Sequence, residues 1–221
     1  MKKYDIFEIM GPTMIGPSSS HTAGAARIGM MARNIYGKEF NNVTFYLHGS
    51  FQTTYQGHGS DRALVGGVMG MMPDDERLVD SLNIAKEIGL DVKFKMIDLG
   101  FVHPNTIKVV FNDDDVLNRF YITASSIGGG KIEVLDVNGI QIKFTGEYPT
   151  IVAEYMDRFG MIADISQILT RNNISIASLK VSRNEDIAQM VMELDQPFND
   201  DVITSISSFS EIIRLVGIKP M

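Results

Sequence analysis

Hydrophobic and polar positions change period along this chain, and the changes mark its elements. Small and apolar residues run almost unbroken from Ala23 through Ala26, then Ile28 to Ala32 and Ile35. Serines precede the run, and a serine oxygen that accepts an orphan backbone N–H favours a helix start. The pattern predicts a helix over about 20–36, ended by Gly37, with its Ala and Gly positions packed backbone on backbone. A shorter helix is expected over 4–10, stopped by Gly11-Pro12. Val43 to Leu47 is β-branched and aromatic and predicts a strand. A polar, glycine-containing loop then runs to Gly59. Ser60 or Asp61 caps a helix reaching about Met72, and Pro73-Asp74-Asp75 separates it from another over about 75–88. In the latter, Leu78, Leu82, Ala85 and Ile88 recur near helical spacing, and Gly89 ends it.

From 91 to 144 the alternation is strand-like, at Asp91–Ile97, Thr106–Phe111 and about 116–124. Asn138-Gly139 lies between the apolar runs 132–135 and 140–144, a two-residue hairpin signal. Gly146 to Pro149 reads as a linker. Beyond it come a strand at 150–156, a helix at 161–172, strands at 174–182 and 187–194, a helix from near Asn199 and a strand at 211–217. That order, βαββαβ, is the ferredoxin-like arrangement. The expected fold class is therefore α/β (α+β), with a first domain at 1–146 and a ferredoxin-like domain at 148–221.

Composition narrows the function classes. With 44% hydrophobic and 21% charged residues the chain can bury a core, so global disorder is excluded. Its net charge of −7, with no Lys/Arg cluster, argues against nucleic acid. No apolar stretch is long enough for a membrane helix, and the N-terminus lacks a signal-peptide pattern, so the expected compartment is the cytoplasm. The chain has 0 Cys, which excludes disulfides, a thiol nucleophile and thiolate ligands for an iron–sulfur cluster.

Candidate chemistry sits in loops. Ile15-Gly16-Pro17-Ser18-Ser19-Ser20-His21-Thr22 combines a helix N-terminus with hydroxyls and an imidazole, donors suited to a carboxylate or phosphate. A plain serine N-cap explains the same residues equally well. The P-loop pattern is absent, so a nucleotide is disfavoured. Gly57-His58-Gly59 puts an imidazole between residues without side chains, just before a helix. Such a histidine can be a general base, but taken by itself it is more simply a surface group in a flexible turn. His103-Pro104-Asn105-Thr106 and Ser125-Ser126-Ile127-Gly128-Gly129-Gly130 form the third constellation, either a cradle of backbone N–H groups or a loop of unusual backbone angles. The four histidines show no metal-binding spacing, so no metal site is expected from this chain alone.

The ordered strings IGPSSSHTAGAARIG, GSF, GHGSDRA, HPNT and SIGGGKIE resemble the β chain of bacterial iron–sulfur L-serine dehydratases (L-serine ammonia-lyases). The βαββαβ segment continues the resemblance as an ACT domain. The resemblance implies a cytoplasmic carbon–nitrogen lyase of amino-acid catabolism and gluconeogenesis that turns L-serine into pyruvate and ammonia. It implies a heterodimer: a partner α subunit carries the 4Fe-4S cluster, whose iron acts as Lewis acid, and this chain carries no metal. It also implies roles. His58 is the catalytic base or part of its relay. Ser18, Ser20, His21 and Thr22 bind substrate, with His103, Asn105 and the Gly128, Gly129, Gly130 loop behind them. In the ACT domain Asp157, Arg158 and Gly160 form the ligand loop or an oligomer interface. Tyr155, Asp157 and Ser175 stand where serine-binding ACT domains use His and Asn, so a structural, oligomer-forming role for 148–221 stands beside effector binding. The first domain also resembles the intervening regulatory domain of some 3-phosphoglycerate dehydrogenases, which implies the alternative of a non-catalytic regulatory protein binding an amino acid or anion.

Overall fold

The computed structural model describes residues 12–115, 117–139 and 141–220; the helix expected over 4–10 lies outside them. The chain divides into two compact units, Met1–Asn138 and Gly139–Met221.

In the first unit a single π-turn, Ser19–Ala23, leads into α1, Gly24–Tyr36. Ser18 caps it from an extended conformation, and Gly37 ends α1 in the left-handed region at φ 63°. Then follow β1 (Asn42–Leu47), α2 (Ser50–Thr54), α3 (Ser60–Val68), a 3₁₀ turn (Glu76–Asp80) and α4 (Ser81–Glu87). Strands β2 (Asp91–Met96), β3 (Thr106–Phe111), β4 (Phe120–Gly128) and β5 (Lys131–Val137) complete a five-stranded sheet in the order β2-β1-β3-β4-β5. β1 and β2 are parallel; the other neighbours are antiparallel.

Register puts Phe45 against Val109 and Val109 against Ile122, so these three fall on one sheet face. All are buried, together with Leu47, Ile107 and Phe111. Each such side chain contributes about 1.5–3 kcal/mol by leaving water. The ring of Tyr36 stacks on Phe111 at 4.5 Å and fixes the end of α1 over that face. Helices α1 and α3 meet through glycine, as the small-residue run predicts. A Cβ on Gly67 would lie 2.1 Å from the Ala26 carbonyl oxygen, and one on Gly29 2.5 Å from that of Leu64. This contact positions the two helix starts that carry the candidate residues.

The second unit contains β6 (Thr150–Met156), α5 (Met161–Arg171), β7 (Ile176–Asn184), β8 (Ile187–Leu194), α6 (Asp200–Ser207) and β9 (Ile212–Ile218). Its sheet runs β7-β8-β6-β9, antiparallel throughout. This is the ferredoxin-like unit that the alternation predicts. Ile151, Ala153 and Tyr155 of β6 and Met190 and Met192 of β8 join Ile165 and Leu169 of α5 and Val202 and Ile206 of α6 in one core.

Local expectations differ from the structure in several places. The helix expected over about 75–88 is the 3₁₀ turn followed by α4, and the strand expected at about 116–124 runs Phe120–Gly128. The loop expected before Gly59 contains the short helix α2. The helix expected to reach Met72 ends at Val68, because Gly70 turns the chain at φ 88°. The hairpin expected at Asn138-Gly139 has its turn, with φ 53° and 96°, but 141–143 form no strand and Phe144 makes a lone bridge. Ile142 and Phe144 are instead buried, and Lys180 Nζ donates to the Lys143 carbonyl. The hairpin that does form joins β4 to β5 through the Gly128–Gly130 turn, whose three glycines have φ of 104°, 59° and 77°.

Candidate active site

The candidate residues of the first unit converge where α1 and α3 begin. Ser18 Oγ accepts the backbone N–H of His21 at 3.1 Å. The π-turn, closed by the Gly24 N–H on the Ser19 carbonyl, is wider than an α-turn; such turns recur at functional sites. Ser20 is half-buried in it, and Thr22 is buried, its Oγ1 donating 3.1 Å to the His58 carbonyl. That bond ties the glycine-flanked loop to the serine-rich turn. The His58 N–H in turn donates to the Thr54 carbonyl at 3.0 Å, and Gly59 takes φ 68° to start α3.

These restraints bring the imidazoles of His21 and His58 to a centroid distance of 5.0 Å. The Nδ1 atom of His58 is buried and has no hydrogen-bond partner among the described residues. His58 lines a cleft of about 210 Å³ with Gly16, Thr22, Gln56, Gly59 and Arg62. That is room for several water molecules at roughly 30 Å³ each. Burial, and secondarily the neighbouring His58, hold the His21 pKa below its ordinary value. Beside the same loop, burial raises the Asp61 carboxyl against the opposing influence of Arg62.

Asn105 joins this cluster, through a residue that sequence reasoning missed. His21 Nε2 lies 3.1 Å from Ser50 Oγ, and the Ser50 hydroxyl donates to Asn105 Oδ1. Phe51, also unassigned, packs its ring 4.9 Å from that of His21. The signal available was Gly49. It adopts φ 57°, and a Cβ there would fall 2.4 Å from the Pro104 carbonyl oxygen. Only glycine lets the 49–50 backbone reach the 104–105 backbone.

His103 is exposed, with its Nδ1 accepting the Asn105 N–H at 3.1 Å. It therefore steadies Asn105, and no contact joins its ring to the two clustered imidazoles among the described residues. The Gly128–Gly130 turn packs onto the start of α1: the Gly130 carbonyl accepts Arg27 Nη1 at 2.9 Å, and a Cβ on Gly130 would press on Pro12 and Ala23.

In the second unit, Asp157 accepts Arg183 Nε at 2.7 Å. Arg158 pairs with Asp164 at 2.7 Å and with Glu211 at 2.9 Å. Gly160, at φ 88°, starts α5. The loop charges are thus engaged inside the unit.

Residues 3–89 match the family model described as serine dehydratase beta chain. The chain is 44% identical to the L-serine dehydratase beta chain of Peptoniphilus asaccharolyticus, over 93% of this chain and 94% of that one. It belongs to the serine dehydratase beta chain family. A second beta chain of the family, the probable L-serine dehydratase beta chain of Bacillus subtilis strain 168, is 40% identical over 99% of each chain. L-serine dehydratase 2 of Escherichia coli K12 is 39% identical over 87% of this chain but only 45% of its own length. Most of the candidate site, including the serine turn and the His58 loop, lies inside the segment matched by the family model.

No three His, Asp, Glu or Cys side chains converge to hold a metal among the described residues. With 0 Cys the donor set does not fit an iron–sulfur cluster. No helix among the described residues is long and apolar enough to cross a membrane.

Proposed function

We propose that this chain is the β subunit of an iron–sulfur L-serine dehydratase, supplying substrate-anchoring and proton-transfer groups to a site completed by an α subunit. The observation that carries the reading is the paired imidazoles at the mouth of a serine-rich turn, 5.0 Å apart, in a beta-chain family member without cysteine. The cluster and its thiolates belong to the partner. The length relation to the Escherichia coli enzyme supports that division, since more than half of that longer protein has no counterpart here.

The reaction sets two tasks for this chain. The substrate carboxylate must be held, and the Cα proton, a weak acid, must be removed by a positioned base. Ser18 and Ser20 stand in the turn that leads into α1, where hydroxyls and the positive helix end favour an anion, and Thr22, its hydroxyl hydrogen given to the His58 carbonyl, lines the pocket beside them. His58, which lines the cleft with Thr22, is the base. It takes the Cα proton as the Cα–H electron pair forms the Cα=Cβ bond and hydroxide leaves Cβ. The aminoacrylate product tautomerises to an imine, and water converts it to pyruvate and ammonia. Asn105, His103 and the Gly128–Gly130 turn support these groups from behind.

In the second unit the engaged Asp157 and Arg158 support a structural, oligomer-forming ACT role over capture of an effector at that loop. The test is anaerobic co-expression with the candidate cluster-bearing chain, followed by pyruvate release from L-serine. Turnover that needs both chains supports the reading. A chain that binds an amino acid but never contributes lyase activity contradicts it.

A further inference from the structure

The two imidazoles are held differently. His58 Nδ1 has no partner among the described residues, whereas His21 has a defined partner on its Nε2 side. With the Asn105 carbonyl oxygen turned to Ser50, the hydrogen bonds along that side run one way. The Asn105 carbonyl oxygen is an acceptor only, so the Ser50 hydroxyl hydrogen points to it. Ser50 Oγ then has only lone pairs left for His21, and a contact at 3.1 Å requires His21 Nε2 to carry a hydrogen. In the neutral ring Nδ1 is therefore the bare nitrogen, facing Ser18 Oγ at 3.5 Å.

Asn105 is itself anchored on both backbone groups. Its N–H donates to His103 Nδ1 at 3.1 Å, and its carbonyl accepts the Ser126 N–H at 2.8 Å. The chain Asn105–Ser50–His21 thus transmits the position of β4 to the imidazole. Ser18, Ser50 and Phe51 surround the His21 ring, and His58 is the titratable group against it.

We propose that Ser50 is a positioning residue that locks His21 as the Nε2–H tautomer and so leaves the proton-accepting role to His58. The proposal rests on the dehydratase reading for its catalytic meaning. A neutral, tautomer-fixed imidazole beside the base presents a lone pair at Nδ1 and adds no positive charge that would weaken proton capture. A charge on His21 would repel the imidazolium that His58 becomes on accepting the proton.

The experiment is ¹⁵N-edited NMR of the histidine rings in the full chain, together with steady-state kinetics of the assembled pair. His21 in the wild-type chain is expected as the Nε2–H form near neutral pH. Ser50→Ala should release it into a mixture of tautomers, and Ser50→Thr, which keeps the hydroxyl, should retain it. Asn105→Asp, which places a carboxylate behind Ser50, should raise the pH at which His21 titrates. In the assembled pair Ser50→Ala should lower kcat about 10- to 100-fold with a smaller change in KM, as loss of an orienting partner does elsewhere. An Nδ1–H form in the wild type, an unchanged tautomer in Ser50→Ala, or full kcat in that variant would overturn the proposal. The NMR is read on this chain without its partner. A failed lock is therefore distinguishable from a failed dehydratase assignment, which shows only in turnover.

Discussion

Thr22 Oγ1 donates a hydrogen bond of 3.1 Å to the carbonyl of His58. This single contact ties the serine-rich turn to the glycine-flanked loop, and it sets where the proposed base stands. The bond matters whether or not the Thr22 side chain touches substrate. Thr22→Val keeps the shape and removes the donor, leaving a part-buried carbonyl without its partner. The expected result is a loss of about 1–3 kcal/mol in denaturant unfolding and a lower kcat. Thr22→Ser should retain most of both.

Protonation of His21 should cost the fold stability. Its pKa is lowered by burial first and by His58 second, so the unfolded chain binds protons more readily than the folded one. The sign follows: the His21 contribution is fully present above its unfolded value, near 6.5, and is lost as pH falls toward the lower folded value. Thermal melts between about pH 8 and about pH 5 should show a steeper acid loss for the wild type than for His21→Gln. Parallel curves would contradict this.

Gly67→Ala should destabilise, against the helix-propensity trend. At an exposed helical site the change gains about 1 kcal/mol. Here the added methyl would lie 2.1 Å from the Ala26 carbonyl oxygen, which is backbone and cannot swing away. Overpacking of this kind costs typically 1–3 kcal/mol or more, so the steric term wins. Chemical denaturation should show a lower midpoint at unchanged slope.

Arg158→Ala should change stability by no more than about 1 kcal/mol, since exposed ion pairs contribute little. Its pairs with Asp164 and Glu211 are partly exposed. In the assembled pair, serine dependence of turnover should keep its shape, because the loop charges serve the unit itself. A change from hyperbolic to sigmoidal dependence, or the reverse, would return Arg158 to effector binding.

Much of this was legible in the sequence, and what was not has physical reasons. The second unit follows directly from alternation, because one sheet face is covered and the period of two survives in Ile151, Ala153 and Tyr155. The small-residue run of α1 announced the Gly67–Ala26 contact without naming the partner helix. The Asn138-Gly139 turn formed as its backbone preferences require, yet no strand followed, because Ile142 and Phe144 found burial elsewhere. Local chemistry chooses a turn; tertiary burial chooses the strand after it. Ser18, His21, Thr22 and His58 were visible as motif residues. Ser50 stood in the GSF string without a role, because its role arises only when the Gly49 and Pro104 backbones meet across the fold. The π-turn was hidden as well, since its sequence reads like any helix start.

In the proposed reaction the imidazole of His58 accepts the substrate proton. The most direct measurement is kcat of the anaerobically reconstituted two-chain enzyme carrying His58→Ala, with circular dichroism confirming the fold. A loss of about 10²- to 10⁴-fold is expected, the usual contribution of a positioned general base. Near wild-type turnover would contradict it.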